Sequence, residues 1–291
     1  MRNFQGKVAV ITGAASGLGR ALAERSAREG MKVVLADIDE QGLAQAEKEL
    51  KAAGASALAV VTDVSKVEDV QALAQKTLEA FGSVDLLCNA AAVHCPEPLA
   101  EASLADWQWV AGVNLFGPVY TLSVFLPAMI KQDTEGHIVN VAPVLGGFYA
   151  LPFNGLYNVS EFGLVNLSET IAIELSDKHP KIGVSLLAPE YAGPSIFESE
   201  RLRPAELREA ASEAGGGAIP HLDEIKDLIR ATAQAETPPE RLADMIFDAI
   251  RENKFYIFPH PSSKVLIRKR LADVDQATNP DDILTLMGVA V

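Results

Sequence analysis

Thr12-Gly13-Ala14-Ala15-Ser16-Gly17-Leu18-Gly19 is the stretch on which the fold turns. It joins an apolar run, 7–12, to a segment, 17–29, whose apolar residues recur at helical spacing. Glycines at a strand-to-helix junction permit a tight turn and close backbone approach to a ligand. The helix behind them then presents its unpaired N–H groups to a pyrophosphate. Asp37 closes the next apolar run, 32–37. A carboxylate there accepts hydrogen bonds from an adenosine ribose and repels a 2′-phosphate. Gly13, Ser16, Gly17, Leu18, Gly19 and Asp37 are therefore candidate dinucleotide ligands. NAD is favoured over NADP, because no arginine stands in the glycine turn or beside Asp37 in sequence.

Outward from this junction, strands are expected over 57–61, 84–88, 136–141 and 181–187, and helices over 40–53, 66–81, 104–131 and 155–178. The strands are continuous apolar runs without in/out alternation, the pattern of a parallel sheet covered on both faces. The predicted fold is α/β, a doubly wound parallel sheet of Rossmann type, with residues 1–291 as a single domain. Residues 194–236 break the rhythm: they are rich in Ala and Glu, contain Gly215-Gly216-Gly217 and offer no strand. They read as a helical substrate lid within the domain. A helix over 239–251 and a short strand over 255–258 follow.

The 291 residues carry 25 Lys and Arg against 39 Asp and Glu, a net charge of −14, and 48% are hydrophobic. That balance suits a folded chain and argues against nucleic acid or an anionic membrane as partner. Two cysteines, Cys88 and Cys95, exclude a disulfide framework and point to a reducing, cytoplasmic setting. The first five residues are short and polar, so no signal peptide is expected. The uncharged run 107–130 is long enough for a membrane span, but Gln108, Asn114, Pro118 and Pro127 interrupt it, and it reads as a buried or interface helix. Cys88, His94 and Cys95 are too few for a closed metal site, so no metal is expected. His137 and His179 read as local structure, and the cations of 264–270 are too few for a nucleic-acid patch.

The glycine spacing TGxxxGxG, with Asp63-Val64 after the third strand and Asn89-Ala90-Ala91 after the fourth, resembles the short-chain dehydrogenase/reductase family from residue 7 to about residue 189. The resemblance implies that Asp63 and Val64 lie at the adenine and that Asn89 and Ala90 steady the central sheet and line the cofactor. It also implies a homodimer or homotetramer built on the helices of 107–130 and 155–175. Family members work with an Asn, a Ser, a Tyr and a Lys. Asn114 and Tyr157 fill the first and third positions, but Glu161 stands for the Lys, Pro143 for the Ser, and the usual Pro-Gly after the sixth strand is Pro189-Glu190.

These replacements have physical consequences. A tyrosinate base needs a phenol pKa lowered from about 10, and an anion one helical turn away raises it instead. Pro143 has no hydroxyl to give a substrate oxygen. Three readings stay open: an inactive relative that binds NAD or a partner, a redox enzyme with Glu161 as replacement base, and acid/base chemistry without net redox. The third is our leading expectation, with Tyr157, Glu161, Asn114 and Glu190 as catalytic residues and Glu161 and Glu190 as the acid/base pair. It describes a lyase that removes formaldehyde or water from a phenolic alcohol through a quinone methide, with NAD structural or not required. The segments Glu198-Ser199-Glu200-Arg201-Leu202-Arg203-Pro204-Ala205 and 253–261 resemble the branch containing Cα-dehydrogenases of lignin-derived aryl ethers. That implies a small aromatic substrate, with Phe148, Tyr149, Phe153 and Tyr191 expected to line an aromatic slot.

Overall fold

The computed structural model describes residues 1–190, 194–214 and 237–281. Among these, seven strands form one parallel sheet: β1 (Val8–Thr12), β2 (Lys32–Asp37), β3 (Ala57–Val61), β4 (Leu86–Asn89), β5 (Gly136–Val141), β6 (Ile182–Leu187) and β7 (Tyr256–Ile257). Their order is β3-β2-β1-β4-β5-β6-β7. The winding reverses between β1 and β4, which opens a crevice beyond the carboxyl ends of these strands.

Both faces of the sheet are covered, as the unbroken apolar runs require. Ala9 and Ile11 of β1 pack with Leu22 of α1 (Gly17–Arg28), Leu43 of α2 (Glu40–Ala52) and Phe247 of helix Pro239–Glu252. Val8 and Val10 point the other way, toward Leu73 of α3 (Val67–Phe81), Phe125 of α5 (Gly117–Gln132) and Ile171 of α7 (Gly155–Lys178). The one-turn α6 (Val144–Gly147) lies between β5 and α7.

The uncharged run forms α4 (Leu104–Ala111), a π-helical turn (Gly112–Phe116) and then α5. Ser103 and Asp106 cap α4 reciprocally. Pro118 has no N–H and its ring crowds the Asn114 carbonyl four residues back, so the helix widens by a residue per turn there. Leu104–Gln132 is the one helix among the described residues long and apolar enough to cross a bilayer. Here Leu122, Phe125 and Met129 of that helix are buried against the sheet.

The lid begins as a 3-10 helix (Pro194–Leu202) followed by α8 (Ala205–Ala214); the rest of the expected lid, 215–236, lies outside the described residues. Helix Pro239–Glu252, which we number α9, matches expectation. A further helix among the described residues, α10 (Ser263–Gln276), has no counterpart among the expected elements, and its apolar Val265, Leu271 and Val274 are exposed.

His137 at the foot of β5 is fully buried. The Ser185 hydroxyl donates to the Lys254 carbonyl at 2.7 Å, so it accepts from His137 Nε2 at 2.8 Å. Nδ1 has no hydrogen-bond partner among the described residues, and burial pushes the imidazole pKa down to about 3. Between that value and the ordinary histidine range near 6.5 the unfolded chain binds one more proton than the folded one. Stability from this group is complete above about pH 6.5 and falls by about 1.4 kcal/mol per pH unit below it. Urea denaturation from pH 7 to pH 4 should show His137→Gln losing less stability with acid than the parent; parallel pH curves would sink this account.

Candidate active site

A cavity of about 660 Å³ opens at the carboxyl ends of the strands. Gly13, Ser16, Gly17, Leu18 and Gly19 line one end. Gly13 has φ +69°, and a Cβ on it would lie 2.8 Å from the Ala90 carbonyl oxygen, so the turn and the end of β4 meet backbone to backbone. Asp37 also lines the cavity, its oxygens accepting from the amides of Ala15 and Asp39 at 2.9 Å each. Burial raises its pKa above the ordinary carboxylate value, the amide bonds opposing the shift. Asp63, Val64 and Ala90 complete this wall, with Asp63 accepting from the Ser65 amide and hydroxyl. Asn89 stands behind it, in a buried chain: Thr121 donates to Asn89, Asn89 to Asn140, and Asn140 to Ser168, each at 2.8 Å. The chain ties α5, β4, β5 and α7 together. A glycine turn at a helix N-terminus with a buried carboxylate at the end of β2 fits an adenine dinucleotide.

At the other end Tyr157 and Glu161, one turn apart on α7, line the cavity beside Pro143. Glu161 is 1% exposed. Its Oε1 accepts from Asn114 Nδ2 at 3.2 Å, and Asn114 is held by both backbone groups of Val93. The π turn is what brings Asn114 inward. Burial drives the Glu161 pKa well up, only partly offset by the Asn114 bond; burial and the neighbouring Glu161 drive that of Tyr157 well above 10. Burial therefore favours the neutral form of both groups. Because Oε1 accepts from Asn114, the carboxyl proton sits on Oε2. Glu161 Oε2 and Tyr157 Oη are buried without hydrogen-bond partners among the described residues.

Other expected site residues lie elsewhere. Glu190 does not join Glu161: its carboxylate accepts from Ser262 Oγ at 3.0 Å, while the preceding Pro189 lines the cavity. The expected acid/base pair is not formed. Phe148, Tyr149 and Phe153 do not line the cavity, because the chain after α6 turns away from it. Phe148 packs on Tyr256 and Phe258, and Tyr149 donates to the Asp281 carbonyl. Phe153, at φ +59°, accepts from the Glu97 amide through its carbonyl. Tyr191 lies outside the described residues.

Several site residues were missed in the sequence. The segment 199–203 crosses the cavity mouth as a strap. Ser199 bonds the backbone of His94, Arg201 pairs with Asp39 at 2.9 Å, and buried Arg203 pairs with Asp106 at 2.5 Å. An arginine thus does reach the edge of the adenosine pocket, from a distant segment. Trp109 of α4 lines the cavity with Val113 one turn on. His94 lies edge-on to Tyr157, ring centroids 5.1 Å apart. Trp109 and Val113 stand four residues apart just before Asn114, but within the uncharged run 107–130 that spacing does not separate wall from core.

The family profile for short chain dehydrogenases matches residues 7–204. The chain belongs to the short-chain dehydrogenase/reductase family. Over 97% of its length it is 32% identical to a CLA biosynthesis dehydrogenase/reductase of Lactiplantibacillus plantarum, of which it covers 97%. It is also 32% identical to a C alpha-dehydrogenase of a Sphingobium strain, over 96% of this chain and 89% of that one. Among solved structures, a short-chain dehydrogenase/reductase from Burkholderia phymatum in complex with NAD aligns with a TM-score of 0.91 and 43% identity, covering 97% of this chain and 99% of that one. The fold and family are those of oxidoreductases. What sets this short-chain dehydrogenase/reductase chain apart from the family's pattern is a buried glutamate, Glu161, where a lysine is expected.

Proposed function

We propose that the protein binds NAD(H) and reduces a carbonyl compound, with Tyr157 as proton donor and Glu161 as the acid that restores it. The carrying observation is the buried Tyr157 and Glu161 pair on the wall of the dinucleotide cleft, where burial favours the uncharged form of each. When bound, reduced nicotinamide supplies the hydride. The carbonyl oxygen, gaining the electron pair of its broken π bond, takes the Tyr157 hydroxyl proton. The phenolate so formed recovers a proton from Glu161 Oε2 by relay through a water of the cleft, because the two atoms are not hydrogen-bonded to each other. The Asn114 amide steadies the carboxylate left behind. Solvent reprotonates Glu161 through the cleft. A neutral phenol is fully populated for this direction at pH 7, whereas alcohol oxidation needs a phenolate that burial suppresses. The bulky aromatic substrate class is carried over from the resemblance of segments 198–205 and 253–261 to the Cα-dehydrogenase branch. The proposal includes a cytoplasmic setting and a homodimer or homotetramer, the latter read directly by size-exclusion mass.

A second reading, the non-redox lyase, keeps one support: a protonated carboxyl beside a protonated phenol also suits acid-assisted loss of water or formaldehyde. One assay separates the two. Purified protein is mixed with aryl ketones and with phenolic benzylic alcohols, with and without NADH, and nicotinamide absorbance and product mass are followed together. Ketone reduction predicts NADH loss, a mass gain of one hydrogen molecule and a rate that falls as rising pH deprotonates the acid pair. A conjugated product lacking water or formaldehyde, formed equally without NADH, establishes the lyase and overturns the reductase. Silence in every channel leaves an inactive binder.

A further inference from the structure

We infer that Trp109 is the specificity-determining wall of this cavity and that the site takes uncharged apolar carbonyl compounds and rejects carboxylates. The inference deepens the reductase reading and rests on it for the word carbonyl. Its basis is the wall and charge of the cavity. Around Tyr157 and Glu161 the lining is Val93, Trp109 and Val113, with Ile196 and Leu202 contributed by the strap. Burying such surface against a ligand favours an apolar body.

The charges point the same way. Asp37, Asp39, Asp63 and Glu198 line the cavity, and Arg201 is the only cation among its described lining residues. Arg201 is engaged by Asp39 at 2.9 Å, at the adenosine end. Arg203 comes near Trp109 but offers no charge to a ligand. Its guanidinium carbon lies 4.9 Å from the indole centroid, it pairs with Asp106 at 2.5 Å and reaches Glu200 at 3.6 Å, and it does not line the cavity. The guanidinium packs over the indole, which is 2% exposed and is also one of the residues lining the cavity. A carboxylate bound here would shed its water beside acids with no free cation to receive it, which is costly. A bound dinucleotide adds its own negative pyrophosphate. An uncharged ring or chain loses nothing comparable and gains contact with the indole.

The test uses acetophenone, its para-carboxylate and the methyl ester of that acid. Trp107 is the chain's other tryptophan, so a Trp107→Phe protein reports on Trp109 alone by fluorescence. Titrations are run with NAD present, where no ketone reduction can occur. Acetophenone and the ester are expected to quench Trp109, with the carboxylate at least tenfold weaker at pH 7.5. Trp109→Leu should weaken acetophenone binding about tenfold or more, measured by calorimetry. If that variant does not fold, the acid and ester comparison on intact protein decides alone. Equal or tighter binding of the carboxylate overturns the inference, as does unchanged affinity in folded Trp109→Leu. Failure of NADH-dependent turnover with the charge preference intact counts against the reductase reading and leaves the specificity assignment in place.

Discussion

Replacing Glu161 by Lys, alone and together with Pro143→Ser, is expected to raise alcohol oxidation at pH 7 by roughly ten- to a hundredfold. In the present protein the Tyr157 phenol is buried beside a carboxyl, and both influences hold its pKa well above 10. Oxidation of an alcohol needs somewhere for the hydroxyl proton to go, and at neutral pH almost no phenolate exists to take it. An ammonium one helical turn along α7 puts a cation where the carboxyl stood and lowers the phenol pKa by about one to three units. The serine at position 143 adds a hydroxyl that the proline ring lacks, beside the same cavity. The measurement is kcat/KM for a benzylic alcohol against pH with saturating NAD. Its rising limb should move to lower pH by the same one to three units. A limb that stays in place in a folded double variant would mean that Tyr157 does not handle the substrate proton.

Gly19→Ala is the second large effect. A Cβ at Gly19 would lie 2.1 Å from the Gly13 carbonyl oxygen and 2.6 Å from its carbon. Both are backbone atoms, so no side chain can swing aside, and the turn itself must open. The N–H groups that face a pyrophosphate then lose their alignment. NADH affinity, followed by nicotinamide fluorescence, should fall at least a hundredfold, about 2.7 kcal/mol, and stability by about 1–3 kcal/mol, as for other overpacked sites. Parent-like affinity in the alanine variant would separate this turn from cofactor binding altogether.

The parts of the site legible in the sequence were those carried by local rules. Continuous apolar runs marked the strands, the glycine spacing marked the turn, and Asn114, Tyr157 and Glu161 followed from position within motifs. What was illegible depended on direction and on distant partners. Glu190 sits one residue beyond a cavity-lining proline, and that single step turns its side chain toward Ser262. Phe148 and Tyr149 follow β5 closely enough to be expected at the site, yet the α6 turn carries them toward β7 and the chain's end. The aromatic wall comes instead from Trp109, which within an uncharged helical run is indistinguishable from core. Arg201 reaches Asp39 across 162 residues of sequence, a separation no spacing argument covers.

The strap over the cavity mouth has unequal ends. Arg203 and Asp106 keep only 4% and 10% side-chain exposure, whereas Arg201 in the other pair is half exposed. Mobile ions weaken attraction between wetted charges and hardly touch those sealed inside protein. Ionic strength therefore acts on the two attachments differently, loosening the strap over the adenosine end while the end beside Trp109 stays pinned. Of the two attachments, the Arg201 pair is the one that the salt content of the surroundings can weaken.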